Sequence, residues 1–190
     1  MTDRSFALRP VAHSDLPLLA QLAKPIWEEY FTPIIGAAQV AYMVEHFQSL
    51  PALTHQVEKE GYRYFFITDG GEVAGYTGVQ ADPDGGLFLS KLYLIRHARG
   101  RGLARKAIEA LVELARAEGL SRIHLTVNKH NLQAIQVYEH LGLSAPARSS
   151  PTLAAGLRWT IICTPIRFHK PGIRRVLAGA WRGFSTHIFL

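Results

Sequence analysis

The chain has 190 residues, 48% of them hydrophobic and 19% charged, which is enough for one filled core and describes a soluble globular domain. Its formal charge of +6 lies entirely in residues 144–190, where seven Lys/Arg meet no Asp or Glu; residues 1–143 carry 14 basic and 15 acidic side chains, so no basic groove for nucleic acid is expected there. No run reaches the ~18 apolar residues of a membrane span, and "MTDRSFALRP" lacks an apolar signal core, so a cytoplasmic protein without membrane contact is expected.

In chain order, "FALRPV" reads as a strand. "HSDLPLLAQLAKPIWEEY" reads as a helix with Ser14 or Asp15 as N-cap and Leu18, Leu19, Leu22 and Ile26 at helical spacing. A second helix is predicted in "AAQVAYMVEHFQ" and a third in "PALTHQVEKEG", where Pro51 suits a first turn and Gly61 a stop. The period then changes. "YRYFFIT", "EVAGYTGVQA" and "LFLSKLYL" are β-rich and separated by "DGG" and "DPDGG", which predicts a three-stranded antiparallel meander. "LARKAIEALVELARAEG" carries a wide apolar stripe up to Gly119, "RIHLTV" alternates as a strand, and "NLQAIQVYEHLG" is a short helix ending at Gly142. The order predicts an α+β class with a mixed, mostly antiparallel central sheet and helices on both faces.

The segment "RHARGRGLARKAI" stands between the third meander strand and a long helix. Unpaired backbone N–H groups and the positive end of the helix dipole meet there, which makes an anion site. Gly100 and Gly102 let the backbone approach an oxyanion, and Arg99, Arg101 or Arg105 can add charge-assisted hydrogen bonds; the competing reading is a glycine-shaped turn with solvated arginines. No Gly-Lys-Ser/Thr follows, so this is not a Walker A loop. The single cysteine, Cys163, has no ligand partner at zinc spacing, and no metal is expected.

"LYLIRHARGRGLARKAIEAL" resembles the acetyl-CoA signature of the GCN5-related N-acetyltransferases (GNAT), Gln/Arg-x-x-Gly-x-Gly/Ala, met by Arg99, Gly102 and Ala104. "NLQAIQVY", with Asn131, Ala134 and Tyr138, resembles the family's second element. The likeness covers roughly residues 5–143 and implies the GNAT acyl-CoA acyltransferase fold. It implies acetyl-CoA as co-substrate, held by Leu92, Tyr93 and Leu94 of the strand, by Arg99, Gly100, Arg101, Gly102, Leu103, Ala104 and Arg105 of the turn, and by Asn131, Ala134 and Tyr138. Asn131 and Tyr138 are two helical turns apart and share a face, with little bulk at Ala134 between them. Taken alone, Tyr138 is equally readable as a half-buried core tyrosine.

The implied chemistry is direct attack of a neutral amine on the thioester, with backbone N–H groups near Tyr93 facing the oxyanion and Tyr138 returning a proton to the thiolate. Glu28 and Glu29 are the candidates for the base that deprotonates the amine, against the reading of a solvated helix face. His97, His130 and His140 have no carboxylate at readable spacing to orient them. "IWEEYFTPIIGAAQVAYMVEHF" falls where the family builds its acceptor pocket. Its Trp27, Tyr30, Phe31 and Tyr42 beside Glu28 and Glu29 suit an amine of apolar or cationic character, on a small molecule or a peptide, and the stretch is faintly similar to bacterial polyamine acetyltransferases; the same aromatics are also readable as core. The alternative is a non-catalytic module of the same fold that binds acyl-CoA or a partner. A homodimer is compatible with either.

After "YEHLGL" the resemblance stops, which divides the chain into a GNAT domain at 1–143 and an atypical basic tail at 144–190. Reading each codon's third base with the next codon's first two, Trp159–Thr160 must give Asp. Permitted codons from Pro151 to Ile162 then spell Asp-Ile-Gly-Gly-Gly-Phe-Ala-Met-Asp-Asp-Tyr, a segment like the one the family carries there, and His169–Lys170 can read as a stop. A frame-shifted C-terminus is therefore expected, with residues 157–168 apolar and β-branched enough to supply a closing strand.

Overall fold

The computed structural model describes residues 5–125, Gln136 and the two-residue strand Ile166–Arg167. Strand β1 (Phe6–Pro10) leads through a 3-10 turn (His13–Asp15) into α1 (Leu16–Ile35), α2 (Ala37–Phe47) and α3 (Leu50–Lys59). The meander β2 (Tyr62–Asp69), β3 (Glu72–Ala81) and β4 (Gly86–Leu94) follows. A short turn (Arg96–Ala98), α4 (Leu103–Ala117), β5 (Arg122–Leu125) and β6 (Ile166–Arg167) complete the described elements. The sheet order is β1-β2-β3-β4-β5-β6, antiparallel at every pairing except β4–β5, which is parallel. This is the α+β class with a mixed sheet that the element order predicts.

Helix α1 departs from the expected outline. Asp15 stands at its N-cap position but makes no side-chain cap; its carboxylate takes Arg9 at 3.0 Å instead. The helix continues past Tyr30, through Pro33, to Ile35, and Gly36 ends it at φ +84°. Each internal proline removes one i→i−4 hydrogen bond, and burial of Leu16, Leu19, Ala23, Ile26, Trp27 and Phe31 against the sheet offsets that loss. Leu18, expected on the apolar stripe, is 46% exposed. Helix α3 starts where Ser49 Oγ accepts the Ala52 amide (3.4 Å) and stops before Gly61 at φ +73°.

Two cores flank the sheet. On one face α4 lays Leu103, Ala107, Ile108, Leu111 and Ala115 over Ile67, Val79, Leu87, Leu89, Leu92 and Leu94. On the other, α1, α2 and α3 cover Tyr62, Tyr64, Phe66, Tyr76 and Tyr93. Truncating a fully buried Leu111 to Ala would remove about 2–5 kcal/mol of stability.

A β-bulge sorts β4 between these cores. Gly78 pairs with Lys91 and Val79 with Leu89, so Ser90 is the extra residue. Strict alternation along "GLFLSKLYL" would put Leu87, Leu89, Lys91 and Tyr93 on one face. The extra residue resets the phase, so Leu92 and Leu94 join Leu87 and Leu89 against α4 while Tyr93 faces the three N-terminal helices. Pairing of β4 with β5 runs from Gly86↔Arg122 to Leu89↔Leu125, so beyond Leu89 this edge of β4 has no partner strand among the described residues.

Candidate functional site

The turn after β4 is built from two left-handed glycines. Gly100 has φ +72° and Gly102 φ +76°, a region that L side chains rarely occupy, and a Cβ at either would meet no heavy atom within 4 Å. Gly102 is also the N-cap of α4 and offers no capping side chain. The first intrahelical bond runs from the Lys106 amide to Gly102 O (3.1 Å), so the amides of Leu103, Ala104 and Arg105 precede the ladder. No acidic residue occupies the first turn. Three helical N–H groups and the positive dipole end therefore converge beside two glycines with no described heavy atom within 4 Å of a Cβ there, an arrangement that suits an anionic phosphate.

The arginines of the turn do not stand as free anion receptors. Arg99 Nε donates to Leu94 O (3.0 Å), its NH1 to Glu29 Oε1 (3.2 Å), and its guanidinium lies 5.2 Å from the Tyr30 ring centre. Arg101 donates to Asp69, and Arg105 Nε to Glu109 Oε1 (2.8 Å) on the exposed face of α4. The backbone is the part of the turn that has no competing partner of this kind.

The side chains of Leu92, Tyr93 and Leu94 are buried at 0%, 2% and 4% exposure, and their backbone continues β4 beyond Leu89, where no partner strand lies among the described residues. The Tyr93 ring packs on Trp27 (5.6 Å), Phe31 (6.5 Å) and Tyr76 (5.1 Å).

The residues expected to line an acceptor pocket separate. Trp27 and Phe31 are core, at 0% and 1% exposure, whereas Tyr42 is 51% exposed and stacks on His46 at 4.0 Å. Glu28 points to Lys24 (3.8 Å) on an exposed helix face, and Glu29 is the residue that ties α1 to the turn through Arg99. His97 is exposed in the short turn after β4. Asn131, Ala134, Tyr138, His130, His140 and Cys163 lie outside the described residues.

Two polar clusters on the sheet escape a reading of the sequence. Lys91 is fully buried, and its Nζ donates to Gln56 Oε1 (2.7 Å) and Tyr64 Oη (2.6 Å). Burial pushes the amine down to about 7, opposed by Glu60. At the other end of β4, His124 stacks on Phe88 (5.1 Å) with Nδ1 3.3 Å from Asp82 Oδ2; Arg122 reaches Asp82 at 3.6 Å and Asp84 at 2.5 Å. Burial, then Arg122, lowers His124 to about 4, while burial, then Asp84, raises Asp82 to about 6. His124 stands in the phase opposite to the core residues Ile123 and Leu125, so the alternation of "RIHL" gives no signal for it, and no spacing points to Asp82. Among the described residues no group of three His, Cys, Asp or Glu is placed to hold a metal ion.

A mixed sheet whose fourth strand ends in a double-glycine turn at a helix N-terminus is the architecture expected of the acyl-CoA acyltransferase fold. Residues 21–143 match the Acetyltransferase (GNAT) family, and the chain belongs to that family. It is 30% identical over 145 residues to the uncharacterized N-acetyltransferase YjgM of Escherichia coli K12, covering 73% of this chain and 82% of that protein. Its fold matches the PaiA N-acetyltransferase of Thermoplasma acidophilum in complex with coenzyme A, with TM-score 0.67, 12% identity, and coverage of 86% and 99% of the two chains. It also matches a single-site mutant of the spermidine N-acetyltransferase SpeG of Vibrio cholerae, with TM-score 0.60, 16% identity, and coverage of 85% and 93%. Acetyl transfer is the activity general to this family, and the family bears a likeness to polyamine acetyltransferases. No helix among the described residues is long and apolar enough to cross a membrane.

Proposed function

We propose that the protein transfers an acetyl group from acetyl-CoA to a primary amine of a small molecule, polyamine-like in character, or of a peptide. The observation that carries this reading is the turn at Gly100–Arg105. Two left-handed glycines lead into three helical amides that have no partner among the described residues, beside a stretch of β4 that no described strand pairs with. Pyrophosphate suits those amides, and a pantetheine arm, which carries its own amides, suits the backbone edge at Leu92–Leu94. The CoA bound in the PaiA structure of the same fold supports the choice of ligand, and the name of the spermidine N-acetyltransferase SpeG supports the choice of amine.

In this reading a neutral amine nitrogen bonds to the thioester carbonyl carbon, and backbone N–H groups of β4 near Tyr93 face the oxyanion. As that intermediate collapses the C–S bond breaks and Tyr138 protonates the thiolate. The amine's proton leaves through Glu28, Glu29 or water ending at one of them. Asn131 and Ala134 complete the cofactor face. The test is thiol release from acetyl-CoA by the full chain against a panel of amines. Release that depends on an amine supports transfer, whereas binding of acetyl-CoA with no release under any amine reduces the protein to a binding module.

We also propose that the tail at 144–190 arises from a change of reading frame, so that its basic charge reflects no selection for a partner. Sequencing the coding DNA tests this. A shifted frame that spells something other than the glycine-and-aspartate segment makes the tail native.

A further inference from the structure

Beneath the β4 bulge lies an amine with no chemistry yet assigned to it. Lys91 is fully buried in a cage of uncharged groups from three elements. From α3, Gln56 accepts at Oε1 from Lys91 Nζ and from the Tyr64 hydroxyl, while its Nε2 donates to Phe47 O (3.3 Å). From β2, the Tyr62 and Tyr64 rings stand 4.4 and 5.0 Å from Nζ, and the Tyr62 hydroxyl donates to Oγ of the bulged Ser90 (3.3 Å). From β3, Gly78 gives the Tyr64 ring its room, since a Cβ there would approach the ring to 2.7 Å; Tyr76 is the further titratable group on that strand. The charged group acting on the amine is Glu60, between α3 and β2, whose carboxylate lies 3.5 Å from His55. Among the described residues no carboxylate is within ion-pair distance of Nζ.

The cage holds no counter-ion for an ammonium. Two oxygens accept from Nζ and the Tyr62 and Tyr64 rings face it, a contact that offsets only part of the hydration a charge loses on full burial. The site also holds the bulge. Lys91 follows the bulged residue and precedes the backbone proposed to carry the pantetheine arm, and the cage ties that point of β4 to α3 and β2. A buried charge without a counter-ion draws in water or opens its cage, and here either response acts on the bulge.

We propose that Lys91 is a positioning residue whose uncharged amine holds the β4 bulge in the form that binds acetyl-CoA, so that proton uptake at this amine loosens the bulge and weakens binding. The inference rests on acetyl-CoA being the ligand. The position of the amine's titration, near neutral pH rather than above 10, agrees with it.

The test uses the full chain. Acetyl-CoA affinity is measured by calorimetry for wild type, Lys91→Met and Lys91→Gln across about pH 6 to 8.5; the ligand's own phosphate titrates near 6 identically for all three. The wild-type dissociation constant relative to either variant should be at least about threefold larger at the acid end than at the alkaline end. In parallel, wild type labelled with 13Cε-lysine should show one lysine titrating in this window, with its midpoint lowered when acetyl-CoA binds. This arm does not depend on either variant folding. A ratio that is constant with pH, or a midpoint that acetyl-CoA leaves unmoved or raises, overturns the proposal. Wild type that fails to bind acetyl-CoA at every pH overturns the proposed function, and this inference with it.

Discussion

Glu29 and Arg99 form an ion pair 3.2 Å long that joins the middle of α1 to the turn after β4. Arg99 is 25% exposed at its side chain and Glu29 42%, so the pair is partly screened and contributes at most about 1 kcal/mol. Its position gives it more interest than its strength, because a carboxylate named as a candidate base here neutralises a residue of the turn proposed to bind phosphate. Glu29→Gln should tighten acetyl-CoA binding by up to a few-fold as Arg99 loses its competitor. If turnover falls in the same variant with the KM for the amine little changed, Glu29 takes the proton; if turnover is unchanged, its role is confined to the tether. Steady-state kinetics together with calorimetry separate the two.

Gly102 and Arg105 should respond unequally. A β-branched side chain at φ +76° is strained by about 1–3 kcal/mol and stands in the turn proposed to hold the phosphate, so Gly102→Val should weaken acetyl-CoA binding by at least tenfold and lower the melting temperature. Arg105 pairs with Glu109 on the surface, and Arg105→Ala should change affinity by about threefold or less. Calorimetry on folded protein decides it. Equal affinity in wild type and Gly102→Val removes the phosphate from this turn.

Tyr138→Phe keeps the ring and deletes the hydroxyl. Turnover should fall roughly ten- to a thousandfold with acetyl-CoA affinity nearly unchanged. Unchanged turnover returns Tyr138 to a packing role.

Lys91 also makes stability depend on pH. Its folded value, about 7, lies below the unfolded 10.5, so folding releases a proton between these limits and the unfolded state binds more protons there. Wild-type stability should therefore rise with pH across that window, at up to about 1.4 kcal/mol per unit. The lysine's full penalty is present below pH 7 and absent above the unfolded value. Denaturant titrations of wild type and Lys91→Met should show the variant gaining on wild type as pH falls from about 10 to 7, then holding level. A difference that stays flat over the range means the amine titrates normally.

The meander and the turn could be read from the sequence because local chemistry sets them. "DGG" and "DPDGG" close hairpins, and Gly100 and Gly102 mark a backbone that must adopt positive φ. The bulge was hidden because its cause is not local. Nothing in "LFLSKLYL" marks Ser90 as extra until Tyr64 and Gln56, 27 and 35 residues from Lys91, claim the lysine. For the same reason the sequence leaves the aromatics of α1 readable as pocket wall or as core, and only the fold decides: Trp27 and Phe31 interlock at 4.4 Å in the core. A prolonged α1 was equally hard to foresee, since Pro33 normally argues against a helix and only tertiary burial overrides it.

The central claim is that this chain moves an acetyl group from acetyl-CoA to an amine, and its most direct test is a coupled measurement on the full wild-type protein. Free thiol and acetylated amine are quantified in one reaction with acetyl-CoA and a panel of polyamines, simple primary amines and peptide N-termini. The account predicts that thiol appears only with an amine present and in equal amount to the acetylated product for at least one member of the panel. Thiol released without acetylated amine, or no binding of acetyl-CoA at all, would contradict it.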